Sequence, residues 1–271
     1  MGIACWPNHH WLYQTLALYE KTLILENKTI WIIGGTHGIG RALSLKLAEK
    51  NSVVVSGRSL DALKKLEAQT NNLKGMPLDV SKGEGIDRTL AKVLKFFGTL
   101  DILIYAAGIY ERGPFGTLST SALKDMLTVN LLGAIHVVNE ILPVFKKQHK
   151  GSIVLFGSVA GYSGLPNASA YGISKAGIFH MAETLKQDLK DTPIQTHLIS
   201  PGFVETRLTK KNNFFMPFLM TPKKAVDHII RGLERGCFEI HFPKSFTYIL
   251  KILRLLPHGI YFKLTRWLIR Q

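Results

Sequence analysis

The chain has 271 residues, 46% of them apolar and 20% charged. That balance suits a folded globular chain with one sizeable core and excludes intrinsic disorder. Cys5 and Cys237, the two cysteines, lie far apart. This excludes a disulfide scaffold and a multi-thiolate metal site, so no metal is expected and a reducing, intracellular location fits. Lys and Arg number 34 against 19 Asp and Glu, a net charge of +15 at pH 7. Such a balance is open to nucleic acid, anionic lipid or a phosphorylated ligand. Zinc-finger spacings and RNA-reading motifs are lacking, so nucleic acid is the weakest of the three.

Residues 1–27 are rich in aromatics and leucine but lack a basic start and a clean small-residue cleavage site. They read as an N-terminal extension forming a short packed or peripheral helix rather than a secretory signal. An unordered extension and a weak membrane anchor are the alternatives. No continuous apolar run reaches the 18 or so residues of a membrane span.

From residue 29 short apolar runs alternate with longer helical stretches. The runs fall at Thr29–Gly34, Ser52–Ser56, Leu73–Leu78, Asp101–Tyr105, Ser152–Phe156, Gln195–Ile199 and Phe238–His241. Helical patterns fill 39–50, 60–70, 84–97, 119–147, 171–190 and 222–235. Short apolar runs bounded by glycines, with helices between, predict a single doubly wound α/β domain over 28–243, with a parallel sheet of about seven strands and helices on both faces. The 203–222 stretch breaks the rhythm. Its part Glu205–Pro222 is long, aromatic and methionine-rich, and reads as a lid over a substrate or as a short helix covering the core edge.

The first run ends in Gly34-Gly35-Thr36-His37-Gly38-Ile39-Gly40, and a helix follows at once. Strand, glycine turn and helix in that order bring the backbone and a helix N-terminus to a pyrophosphate. The second run ends at Gly57-Arg58-Ser59, with no acid at 56–59 to accept from an adenosine ribose. Arg58 pairs instead with a 2′-phosphate, or is an ordinary solvated charge; His37 could add a donor. The missing acid favours NADP(H) over NAD(H).

Tyr171 and Lys175 are four apart and share a face of a predicted helix, and Ser158 lies 13 residues upstream, just past the fifth strand. A free tyrosine ionises near pH 10. A neighbouring ammonium is expected to draw that value down and make the phenol an acid–base group, while the Ser158 hydroxyl donates to a carbonyl oxygen. Taken singly, Tyr171 is equally a half-buried aromatic and Lys175 a solvated charge. Asn130, mid-helix in Thr128-Val129-Asn130-Leu131, is an unusual polar residue that by itself could only satisfy nearby backbone.

With the glycine turn, Asn130, Ser158 and Tyr171-x-x-x-Lys175 in this order, residues 29–205 resemble the short-chain dehydrogenase/reductase family. The resemblance implies a Rossmann fold and NAD(P)-dependent oxidoreduction. It implies Tyr171 as general acid in reduction, Lys175 on the nicotinamide ribose, Ser158 orienting the carbonyl and Asn130 holding a relay water. Asp79-Val80 resembles the adenine-binding pair, although Asp79 also suits a helix cap. Pro201-Gly202-Phe203-Val204-Glu205-Thr206 resembles the loop that reaches the carboxamide, through Val204 and Thr206. Ile33 replaces the family's threonine, and Tyr105-Ala106-Ala107-Gly108 replaces Asn-Asn-Ala-Gly; Ala107 and Gly108 still permit close backbone approach. A homodimer or homotetramer on the helices containing 119–147 and 171–190 is also implied.

The expected substrate is a hydrophobic ketone or aldehyde, or the corresponding alcohol, in a pocket between Gly161–Ser169 and 203–222. Phe214, Phe215, Met216, Phe218, Leu219 and Met220 are its candidate lining. Residues 244–271 form a basic amphipathic C-terminal segment. The last 32 residues hold six basic side chains and no acidic one. Ile249, Ile252, Leu253 and Leu256 share a helical face beside Lys251 and Arg254, and Pro257 separates a second segment. Residues 245–271 therefore either lie on an anionic membrane surface, which places a cytoplasmic protein at the inner face of a membrane, or pack on the domain. A non-enzymatic NADP(H) sensor or membrane-surface protein on the same fold is the competing class, since fold does not fix function.

Overall fold

The structure is a computed structural model and describes residues 22–269. The helix expected within 1–27 falls largely outside these residues. Residues 22–28 are irregular, and Leu25 is buried where its carbonyl accepts from Asn51 Nδ2 at 2.9 Å.

The seven apolar runs are seven parallel strands: β1 (Thr29–Ile33), β2 (Ser52–Gly57), β3 (Leu73–Pro77), β4 (Ile102–Tyr105), β5 (Gly151–Phe156), β6 (Ile194–Pro201) and β7 (Glu239–Phe242). They are hydrogen-bonded in the order β3-β2-β1-β4-β5-β6-β7. Strand order reverses between β1 and β4, whose registers pair Ile33 with Tyr105. In this architecture the crevice beyond the carboxyl ends at such a reversal is where ligands collect.

Both faces of the sheet are covered, which is why the strands are apolar on both sides. On one face Ile30, Ile32, Val53 and Val55 pack with α1 (Gly38–Ala48) and with Ala225, Val226, Ile229 and Leu233 of a later helix. On the other, Trp31, Ile33, Leu103, Ile153 and Leu155 pack with the helices that follow β3, β4 and β5. In chain order the helices after α1 are α2 (Leu60–Glu67), α3 (Ile86–Phe97), α4 (Thr120–Leu127), α5 (Gly133–Gln148), α6 (Ser169–Asp188), α7 (Pro222–Glu234), α8 (Lys244–Arg254) and α9 (His258–Ile269). Ser59, Ser119 and Thr221 start α2, α4 and α7 by accepting from the amides of Ala62, Ala122 and Lys224. Each cap satisfies a donor the helix leaves open.

A π turn, Thr128–Leu132, joins α4 to α5. The continuous run Thr120–Gln148 has 29 residues and, by length and composition, is the one helix among the described residues that could cross a membrane. Its Val137, Val138, Ile141 and Phe145 are buried against the sheet, as a core helix requires.

Tyr105 is where this chain departs from the Asn-Asn-Ala-Gly pattern. It is fully buried, and its hydroxyl donates to the Val129 carbonyl at 2.5 Å. Gly133 makes this fit, because a Cβ there would lie 2.4 Å from the Tyr105 hydroxyl. The larger side chain thus pins the π turn to the end of β4.

Candidate active site

A cleft of about 570 Å³ opens at the carboxyl ends of β1, β4 and β5. At one end the chain turns from β1 into α1 through Gly34, with φ +87°, and Gly38, with φ +55°. A Cβ on Gly34 would meet the Ala107 backbone nitrogen at 2.4 Å, so only glycine lets the turn lie against the β4 loop. α1 has no acidic residue in its first turn, and the side chain of its N-cap His37 makes no capping bond. Its free amides and positive end therefore face the cleft. Thr36 Oγ1 and His37 Nδ1 lie 2.9 Å apart. Burial and the charges of Arg207 and Arg41 lower the His37 pKa. Arg58 and Ser59 line the cleft past β2. Asp79 and Val80 do so past β3, where Asp79 also caps a short 3-10 turn by accepting from the Ser81 amide and hydroxyl. Asp79 ionises more readily than usual: its hydrogen bonds from Ser81 and the charge of Arg58 outweigh a burial effect that acts the other way.

These residues fit a pyrophosphate-bearing dinucleotide. The glycine turn excludes any Cβ, amides point outward at a helix start, and a guanidinium stands where a ribose-recognising acid is absent.

The other end holds the catalytic candidates. Ser158 follows β5, and its Oγ accepts from the Ala160 amide at 3.2 Å. Tyr171 and Lys175 lie one turn apart near the start of α6. Tyr171 and Ser158 line the same end of the cleft, and the Ser158 hydroxyl favours the Tyr171 phenolate. Lys175 is 5% exposed and its Nζ donates to the Phe156 carbonyl at 2.7 Å. The same nitrogen lies 5.8 Å from the Tyr171 ring centroid.

One expectation needs correction. Lys175 does not pull the Tyr171 phenol toward neutrality in the chain alone. Burial raises the Tyr171 pKa, the Ser158 hydroxyl opposes that, and Tyr110 adds to it. Burial meanwhile pushes the Lys175 ammonium down to about 8. The reason is geometric: the ammonium is directed at a carbonyl, and both groups have lost water.

The Asn130 side chain satisfies nearby backbone, as its residue type alone allowed. It is fully buried and does not line the cleft. Its Oδ1 accepts from Ile109 N at 2.8 Å, and its Nδ2 donates to Ile109 O at 3.0 Å and to Ser174 Oγ at 3.1 Å. It clamps the loop after β4 beside Lys175: a Cβ on Gly108 would lie 3.5 Å from Asn130 Oδ1 and 3.8 Å from Lys175 Nζ. Gly34, Thr36, His37, Gly38, Ile39, Gly40, Ala107, Gly108, Pro201, Gly202, Val204 and Thr206 all line the cleft.

The lining expected from 214–220 is not realised. Phe215, Phe218 and Leu219 are exposed. Met220 is in the core, because its backbone bridges to Val204 and turns it inward. From this loop the cleft receives Thr206, Arg207, Leu208 and Thr209 instead. Arg207 had a sequence signal, a cation next to Thr206. Tyr110 had none: its ring meets Tyr171 edge-on at 4.9 Å and its hydroxyl donates to Asn212 Oδ1 at 3.2 Å. Arg112 Nη1 donates to Asn213 Oδ1 at 2.8 Å and its guanidinium lies over Phe214. These contacts hold the 205–222 loop across the catalytic end. Among the described residues no cluster of His, Cys, Asp and Glu could hold a metal.

The family model for short chain dehydrogenase matches residues 28–215. The chain belongs to the short-chain dehydrogenase family. As a member it is an NAD(P)-dependent oxidoreductase. Among relatives of this short-chain dehydrogenase, an uncharacterized oxidoreductase of Myxococcus xanthus is 32% identical over 88% of this chain and 96% of its own length. A 3-oxoacyl-(acyl-carrier-protein) reductase of Thermotoga maritima is 32% identical over 79% of this chain and 85% of its own. A short chain dehydrogenase/reductase of Burkholderia phymatum, solved in complex with NAD, superposes with a TM-score of 0.78 at 22% identity, over 84% of this chain and 93% of that one. The last comparison bears on the fold alone.

Proposed function

We propose that this short-chain dehydrogenase is an NADPH-dependent carbonyl reductase that acts, reversibly, on a hydrophobic ketone or aldehyde. The observation that carries the reading is the convergence of Ser158 and Tyr171 in one cleft, with the Lys175 ammonium buried beside them. Tyr171 is protonated at neutral pH, the form a general acid needs, and gives its proton to the carbonyl oxygen as the carbon is reduced. Ser158 donates to the same oxygen and stabilises the charge developing there. Lys175 keeps a positive charge beside the phenolate left behind, and Asn130 keeps the Ile109 loop in place around it. When bound, the nicotinamide supplies the hydride.

The phosphate preference rests on Arg58, on the absence of an acid at 56–59 and on the cationic surroundings of His37. A 2′-phosphate is stabilised there, whereas a bare ribose has no carboxylate to donate to. Names of relatives support carbonyl chemistry: the Thermotoga maritima protein is a reductase of 3-oxoacyl groups. A homodimer or homotetramer through the α4–α5 helix and α6 is part of the proposal, supported by Leu132 and Ile173, large apolar residues exposed on these helices. So is placement in the cytoplasm with the basic tail at a membrane.

The test is Tyr171→Phe, assayed with NADPH on a panel of ketones and aldehydes. Turnover is expected to vanish while the fluorescence titration with NADPH is nearly unchanged. Undiminished turnover removes Tyr171 from the mechanism.

A further inference from the structure

The C-terminal helices leave much of their apolar surface outward. An amphipathic helix on a globular domain turns its apolar stripe to the core. On α8 the buried residues are Thr247 and Leu253, and Lys251 is partly buried beside them. Thr247 Oγ1 lies 2.6 Å from His241 Nδ1, and Lys251 Nζ donates to Glu239 Oε2 at 2.5 Å. The outward stripe is Tyr248, Ile249, Ile252 and Leu255, all exposed, Leu255 by 83%. On α9 the inward residues are Tyr261 and Thr265, and Ile260, Phe262 and Leu264 are exposed. Large contiguous apolar surface of this kind marks an interaction site.

That surface borders the substrate end of the cleft. Phe246 of α8 stacks on Phe203 at 5.6 Å and meets Phe218 at 6.0 Å, so the tail supports the 203–222 loop. Phe215 of that loop is 80% exposed, and Phe218 and Leu219 are exposed with it. Tyr261 of α9 donates to the Gly164 carbonyl at 2.9 Å, in the segment between Ser158 and Tyr171. Charge selects the partner: the last 32 residues hold no acidic side chain, so the exposed cations on these helices complement an anionic surface. Arg254 and Lys263 are exposed among the apolar residues.

We propose that α8, α9 and the tip of the 203–222 loop form one docking face for an anionic bilayer, and that the mouth of the cleft opens at this face so that a lipid-soluble carbonyl enters from the membrane. The supply of substrate rests on the carbonyl-reductase reading above; the docking does not.

The full chain is tested by flotation with vesicles of phosphatidylcholine, with and without phosphatidylglycerol, at low and high salt. Binding is expected to the anionic vesicles only and to weaken with salt. Removing Arg254 or Lys263 by substitution with Gln should reduce partition about fivefold each. The variant Ile252→Glu/Leu255→Glu changes exposed residues far from the cleft chemistry. It should melt like the wild type and reduce a short water-soluble ketone at the same rate. It should also lose vesicle binding and at least about tenfold of its turnover of a long-chain methyl ketone carried in the vesicles. Wild-type chain that stays unbound while reducing the soluble ketone overturns the docking face. A wild-type oligomer that the double variant breaks, without vesicle binding by either, gives the face to a second copy and overturns it equally. Vesicle binding with no turnover of any carbonyl sinks the reductase reading, and with it the supply of substrate, but upholds the docking face.

Discussion

Replacing Lys175 with methionine separates the chemistry of this site from its stability. The ammonium is buried and its pKa falls from 10.5 to about 8. A shift of that size makes the charged form cost about 3 kcal/mol of folding stability at pH 7. The hydrogen bond to the Phe156 carbonyl offsets part of this, since leaving that buried acceptor unpaired costs about 1–3 kcal/mol. Lys175→Met is therefore expected to unfold in urea at pH 7 with a stability equal to the wild type or up to about 2 kcal/mol greater. Turnover should fall by about a hundredfold or more. Because the folded-state pKa lies below the unfolded one, the wild type carries the cost in full below about pH 8 and sheds it as pH rises toward 10.5. Any advantage of the variant should shrink across that window, since methionine has nothing to titrate. The carbonyl-reducing kcat/KM of the wild type should also fall above about pH 8, as Lys175 loses its charge. A variant clearly less stable than the wild type at pH 7, by a margin that stays constant to pH 10, refutes the reasoning.

Gly34→Ala should cost more than the roughly 1–3 kcal/mol of a left-handed non-glycine residue, because its Cβ strikes the Ala107 backbone; thermal melting and NADPH titration together check this, and a variant that melts and binds normally contradicts the close approach. Arg58→Ala should raise the KM for NADPH about tenfold or more and leave that for NADH unchanged, as expected for one charge-assisted phosphate contact; equal losses for both cofactors assign Arg58 to general structure. Lys251→Met should destabilise the fold by about 1 kcal/mol at neutral pH, by stripping Glu239 of an ion pair. Glu239 has a depressed pKa, through Lys251 and Tyr162 acting against burial, so the stability it contributes is present at neutral pH and lost as pH falls through its lowered value. The gap between variant and wild type should close in acid, measured by urea unfolding against pH.

The central strands were readable because strands buried on both faces must be apolar along their length, as Trp31 and Val54 are. The glycine turn was readable for a similar reason: a backbone that has no room for a Cβ admits one residue type. Tyr171, Lys175 and Ser158 were readable as a set because helical spacing and position after β5 are local properties. The direction of the Tyr171 pKa was not, because it depends on how much water the fold removes and on Lys175 being directed at Phe156.

The sequence by itself determined the order of the elements, the glycine turn and which residues can carry proton transfer, since these follow from chain-local chemistry and periodicity. Only the tertiary structure decided that Asn130 clamps Ile109, that Tyr110 and Arg112 hold the 205–222 loop, that Met220 faces inward and that α8 and α9 leave much of their apolar surface outward. Each of those outcomes depends on partners far away in the chain, and no spacing within a single segment encodes which of its faces another segment will cover.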